Sequence, residues 1–244
     1  MQLNTFSIAA CCTDTGMMGV AVSTAVPAVG ALCPHVRRGV GAVSTQAWVN
    51  PYLGFEAIGR LAGGEAAESA LTAVVAGDGA SVARQLSVVD ARGGSASWTG
   101  EACTPWAGHR TGFGYAIQGN MLTGPEVIDA MEATFLNTER MELAERLLLA
   151  LEAAQAVGGD KRGKQSAALL VHHEEDYPWV DLRVDEHPHP VAELRRIWSI
   201  FLQQVRPFLA GMPKRGAPAG PVPEAVTRML LRPPPYRPGG GGSA

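Results

Sequence analysis

The chain has little excess of positive charge. Its 20 lysines and arginines do not outnumber its 23 aspartates and glutamates over 244 residues, and the formal net charge is −3. No basic cluster with interleaved aromatics occurs, so nothing draws it electrostatically to nucleic acid or to an anionic membrane. Long apolar runs are missing too. The longest, Val20 to Pro34, is interrupted by Ser23, Thr24 and Pro27 and is too short to span a bilayer. No basic segment followed by an apolar one opens the sequence, so no signal peptide is expected. The cysteines, Cys11, Cys12, Cys33 and Cys103, have neither metal-like nor framework spacing. In a leaderless chain that pattern points to structural thiols, kept reduced in the cytoplasm.

What is present fits one large domain. Hydrophobic residues make up 46% and charged residues 18%, enough for an ample core. Strand-like runs at Thr5–Ala10 and Met18–Thr24 flank the turn-forming Thr13-Asp14-Thr15-Gly16, and Gly39–Thr45 reads as a third strand. Helical spacing follows over Pro51–Leu61 and Glu65–Ala76, then a hairpin over Arg84–Asp90 and Ser95–Thr99. A short strand at Tyr115–Gln118 precedes helices over Glu126–Leu136 and about Glu142–Val157. Strands at Ser166–His172 and Val180–Asp185 lead into an amphipathic helix over Val191–Leu209. Hairpins dominate, so an α+β fold is expected, with mostly antiparallel sheets under layers of helix. The domain spans roughly 1–210, and the Pro/Gly-rich stretch 211–244 reads as a disordered tail.

Several motifs lose to plainer readings. Gly158–Gln165 (GGDKRGKQ) nearly spells a phosphate-binding loop, but glutamine replaces the magnesium-holding Ser or Thr. The loop also follows a helix and precedes a strand, the reverse of the required context. It is either a solvated turn or a site loop. The glycines of Gly112–Gly119 lack dinucleotide spacing. His172 and His173 are adjacent on a strand end and face opposite ways, so no metal is expected there. There is no Gly-X-Ser-X-Gly elbow, and no histidine joins a plausible Ser–Asp set.

Thr5 opens the first strand-like run, four residues from the start. Inside a peptide it is a weak nucleophile. Were residues 1–4 removed, its α-amine could act as its own general base. Three polar groupings end other strands: Ser44-Thr45-Gln46 with Asn50; Gln118-Gly119-Asn120; and Asp160, Arg162, Gln165 and Ser166. Each is either a set of turn-formers or part of a site.

Thr5-Phe6-Ser7-Ile8, the hairpin Thr15-Gly16 to Val22, Arg37 through Gln46, Gln118-Gly119-Asn120 and Asp160 through Leu169 together resemble a bacterial family. It is the family termed domain of unknown function 1028, grouped with N-terminal-nucleophile (Ntn) hydrolase-like proteins, and the resemblance runs from Thr5 to about Leu194. It implies a four-layer αββα sandwich and an amidohydrolase with Thr5 as nucleophile. Arg37 would lie where related enzymes keep a lysine, lowering the α-amine below its usual roughly 7.7–8.0. Gly119 and Asn120 would supply oxyanion donors. Thr45, Gln46, Asn50, Gln118, Asp160, Arg162, Gln165 and Ser166 are candidates to orient the substrate or the amine. A small-molecule amide substrate is implied, with no metal or cofactor, and a homodimer is plausible. The alternative is a non-catalytic metabolite-binding or assembly protein on the same fold. Met1-Gln2-Leu3-Asn4 precedes Thr5, and Gln2 is too bulky for ordinary methionine removal, so either the Asn4–Thr5 bond cleaves itself or the free amine never forms.

Overall fold

A computed structural model describes residues 2–3, 5–217 and 220–231. The chain divides into two compact units, one ending at Arg195 and the other beginning at Arg196.

The first unit is α+β, built on antiparallel sheets. The smaller sheet holds β1 (Gln2–Leu3), β4 (Pro34–Arg37), β5 (Gly41–Trp48), β6 (Arg84–Asp90) and β7 (Ser95–Thr99). β6 pairs along one side of β5, while β4 and β1 follow one another along the other side. The larger sheet runs in the order β11 (Val180–Val184), β10 (Ser166–His172), β3 (Met18–Thr24), β2 (Thr5–Cys11), β9 (Tyr115–Gly119) and β8 (Gly108–Gly112). Every pairing is antiparallel.

Strand periodicity sorts the side chains. On β5 and β6, Val43, Leu86 and Val88 face α1 (Pro51–Ala62) and α2 (Ala67–Gly77), where they pack with Leu53, Ala57 and Val74. The alternate residues face the other sheet: Ala42 and Val89 meet Ala9, Cys11, Met18, Val20 and Ala116. α3 (Glu126–Asn137) packs against β8 and β9, and α4 (Leu143–Ala156) against β2, β3 and β10. Because both faces of β2, β3 and β6 are covered, these strands are buried at every position.

The amphipathic run at Val191–Leu209 forms two helices, α5 (Pro190–Gln204) and α6 (Arg206–Ala210). Pro207 lacks the N–H that a continuous helix would need there. In the second unit Trp198 and Phe201 stack with centroids 5.4 Å apart. Within the stretch read as a tail, Glu224–Leu231 form α7, and residues 232–244 lie outside the described residues. Among the described residues no helix is long and apolar enough to cross a membrane.

Asp90 fastens two of these elements. Its carboxylate accepts from the backbone N–H of Arg92 (2.8 Å) and Gly94 (3.1 Å), closing the β6–β7 turn. It also accepts from Ala67 N (3.1 Å), at a helix start where Ala66 has no side chain to cap with. Asp90→Ala leaves three backbone donors without this acceptor and is expected to cost about 2–3 kcal/mol, read from the urea midpoint.

Candidate functional site

Between the sheets the side chains change character along the strands. At the Cys11–Met18 end the layer is apolar. At the other end it holds Thr5, Ser7, Thr24, Ser44, Gln46, Gln85, Gln118 and Asn120, none more than 2% exposed, beside a small apolar cluster of Val22, Val29, Cys33 and Ala168. Buried polar groups need partners, and this layer supplies most of them, Gln118 Oε1 being left without one. Ser7 Oγ donates to Gln46 Oε1 (2.7 Å), and Ser44 Oγ donates to Ser7 Oγ (3.0 Å). Gln118 Nε2 donates to Ser44 O at 2.9 Å.

Thr5 sits at the end of this layer, fully buried at the head of β2. Its carbonyl accepts from Gln46 Nε2 and Asn120 N, both at 3.0 Å. Its own N–H reaches Asn120 O at 3.3 Å, and its hydroxyl donates to Thr24 Oγ1 at 3.2 Å. In the uncut chain this nitrogen is an amide, with its lone pair delocalised, and cannot serve as a base. The sulfur nucleophiles are no better placed: burial pushes Cys11 up to about 11, and raises Cys33 and Cys103 as well.

Gln85 is the hub, and the sequence reading passed it over as an ordinary strand residue. Its Oε1 accepts from Gln46 Nε2 (2.8 Å) and Asn120 Nδ2 (3.0 Å), and its Nε2 donates to Gly119 O (2.8 Å). The available signal was alternation: Gln85 and Ser87 recur on one face of a strand whose other face carries Leu86 and Val88. The backbone is distorted beside this cluster. Ala47, next to Gln46, has φ 66°, and Met121, next to Asn120, has φ 52°. Left-handed backbone at non-glycine residues costs about 1–3 kcal/mol each and is characteristic of functional sites.

The strand-end groupings are sorted by this geometry. Gln46 and Asn120 hold Thr5, while Gln118 reaches Ser7 and Ser44 and Gly119 O accepts from Gln85. Thr45 is turned away: one residue from Gln46, it faces the opposite side of β5, where its hydroxyl donates to Asn50 O at 3.3 Å. Asn50 is a helix cap, its Oδ1 accepting from Tyr52 N at 3.1 Å. Asp160 is buried beside the end of β3, accepting from Ala25 N (3.2 Å) and paired with Arg162 (3.0 Å). Gln165 donates its backbone N–H to Thr24 O at 2.8 Å. Ser166 Oγ donates to Val26 O and accepts from Val29 N, pinning the turn after β3. The GGDKRGKQ stretch is thus a loop laid against the Thr5 end, with Lys161 N donating to Met121 O at 3.1 Å.

Arg37 is elsewhere. It is exposed and stands opposite Gly41 in the β4–β5 register, whereas Thr5 O is held by Gln46, five positions further along β5. At about 3.3 Å per residue that is roughly 17 Å. The expectation that Arg37 tunes the Thr5 amine is therefore corrected by the hairpin register. Arg37→Ala is expected to leave the proteolytic state of the chain and any amide turnover within about twofold of wild type, compared by intact mass and initial rates.

His172 and His173 diverge, His173 Nε2 lying 3.0 Å from Thr15 O, and among the described residues no group of three or more His, Cys, Asp or Glu could hold a metal.

The description of a family of unknown function, DUF1028, matches residues 5–194. The crystal structure of a Silicibacter pomeroyi protein assigned to DUF1028 is 31% identical, with 86% of this chain and 92% of that one aligned at a TM-score of 0.80. Anbu, the ancestral β-subunit, from Yersinia bercovieri aligns over 87% of this chain and 100% of its own at 12% identity, with a TM-score of 0.37. No curated protein matches.

Proposed function

Starting from a chain that belongs to the DUF1028 family, we propose that it is the uncut form of an N-terminal-nucleophile amidohydrolase, activated when the Asn4–Thr5 bond breaks. One observation carries this reading. Leu3 is paired in the smaller sheet and Thr5 in the larger, so Thr5 is the first residue by which the chain has joined the larger sheet. The order of helices, sheet, sheet and helices supports assignment to the four-layer Ntn sandwich.

The chemistry balances without a cofactor. Thr5 Oγ1 attacks the Asn4 carbonyl carbon, the C–N bond breaks, and the hydroxyl proton passes to the new α-amine. Water hydrolyses the resulting ester, releasing residues 1–4 as a carboxylic acid. In turnover the free amine takes the Oγ1 proton as Thr5 attacks a substrate amide; the amine product leaves and water cleaves the acyl-enzyme. Gln46 holds the Thr5 carbonyl throughout. Asn120 Nδ2, given to Gln85 in the uncut chain, is the side-chain donor this reading assigns to the developing oxyanion.

A second reading, a non-catalytic metabolite-binding or assembly protein on the same fold, is favoured by the complete burial of Thr5. Intact-mass analysis separates the two. The hydrolase requires loss of Met1–Asn4 and a new Thr5 terminus that reacts with an electrophilic threonine trap. A folded chain that keeps residues 1–4 and ignores the trap overturns it.

A further inference from the structure

Gln85 Nε2 carries two protons but lies within hydrogen-bonding distance of three acceptors: Gly119 O (2.8 Å), Thr99 Oγ1 (2.9 Å) and Gly108 O (3.1 Å). The carbonyls can only accept, whereas the Thr99 hydroxyl can turn. On its far side, Thr99 Oγ1 stands 2.9 Å from Nδ1 of His109. His109 in turn lines a groove of about 590 Å³ between α2 and the β7–β8 edge, together with Glu68, Thr72, Ser97 and Trp98.

With neutral His109 in one of its two tautomers, the Thr99 hydroxyl donates to Nδ1 and accepts from Gln85. The imidazole proton is then on Nε2. Protonation reverses the first of these bonds: Nδ1–H now donates to Thr99, whose own proton must turn away from the ring and competes with the Gln85 amide for the space around Oγ1. We propose that His109 is a positioning residue for the Thr5 layer, deciding through Thr99 which two of three acceptors the Gln85 amide serves. That choice turns the amide and alters the grip of Oε1 on Gln46 and Asn120, the two residues that hold Thr5.

Burial, and secondarily the neighbouring Arg110, lower the His109 pKa from its ordinary value. Few other charges face it. Glu68 of α2 lines the same groove, and Arg110 is paired with Asp129 of α3 at 3.2 Å. β7 has no ionisable side chain, and the one on β9, Tyr115, donates to Glu132.

The coupling is measured on the full chain by following the Gln85 side-chain amide and the His109 ring together by NMR across pH 4–8. Both are expected to move with one midpoint, below the ordinary imidazole value of about 6.5. In Thr99→Val the ring still titrates while the amide stays flat; Thr99→Ser restores the linkage. A wild-type amide that does not respond as His109 titrates overturns the proposal, as does a response that survives Thr99→Val. The effect on maturation rests on the hydrolase reading: the rate of residue 1–4 loss would step at the same midpoint in wild type and not in Thr99→Val. The amide titration needs no cleavage, so it still decides the coupling if the chain never matures.

Discussion

Thr5→Ala is expected to arrest the chain with residues 1–4 attached and to reduce amide turnover by at least about four orders of magnitude. The size follows from the role: without Oγ1 there is no nucleophile for either the internal cleavage or the substrate, and no neighbouring thiol is poised to replace it. The fold should survive. The lost hydroxyl makes one hydrogen bond, to Thr24, worth about 1 kcal/mol. Thr5→Ser keeps the hydroxyl and should still cleave. Intact masses of the three proteins after parallel incubation, with circular dichroism to establish folding, check the expectation. Cleavage of the alanine variant at Asn4–Thr5 would show that Thr5 is not the nucleophile.

Gln85→Leu is expected to be the most damaging change to stability in the polar layer, about 3–5 kcal/mol by denaturant titration. Gln85 is fully buried and touches side chains from β5 and beyond the end of β9, along with a backbone carbonyl of each larger-sheet strand it faces. Leucine of similar volume strips the acceptor from Gln46 Nε2 and Asn120 Nδ2 and the donor from Gly119 O, at about 1–3 kcal/mol for each group left unsatisfied. Relaxation and water entry recover part of that sum. A loss under 1 kcal/mol would mean that the network rearranges freely and does not fix Gln46 and Asn120.

Much of the element plan was legible in the sequence, and the reason is local. The β6–β7 hairpin was read at the bounds it has, because Ala91-Arg92-Gly93-Gly94 is turn chemistry between two β-rich runs. The edge strands β4 (PHVR) and β8 (GHRTG) were missed, since exposed edges need no sustained apolar alternation. β1 is only two residues long and exists through its pairing with β5.

The site was legible in part. Gln46, Gln118 and Asn120 read as polar groups ending strands, a pattern that turn-formers share, and the family resemblance gives them candidate roles. Arg37 was misplaced because distance along the sequence says nothing of register: the turn between β4 and β5 sends it to the opposite end of the strand from Gln46. Thr45 failed for a subtler reason, since neighbours on a strand cannot both face the same layer. Alternation with Leu86 marks Gln85 as facing inward, but its role as a hub was not legible, because that rests on partners from four other segments.

The change of character between the sheets gives the molecule an uneven resistance to opening. Parting the sheets at the Cys11–Met18 end exposes hydrocarbon, at about 25 cal/mol for every Å² wetted, with nothing gained in return. At the Thr5 end, water or an incoming amide can take over the bonds that Gln46, Gln85 and Asn120 make to one another. The two sheets therefore resemble covers joined by an apolar spine, and backbone amide exchange is expected to be faster at the edge where Thr5 lies. A polar solute would then reach the hydroxyl through an opening that leaves the rest of the core dry.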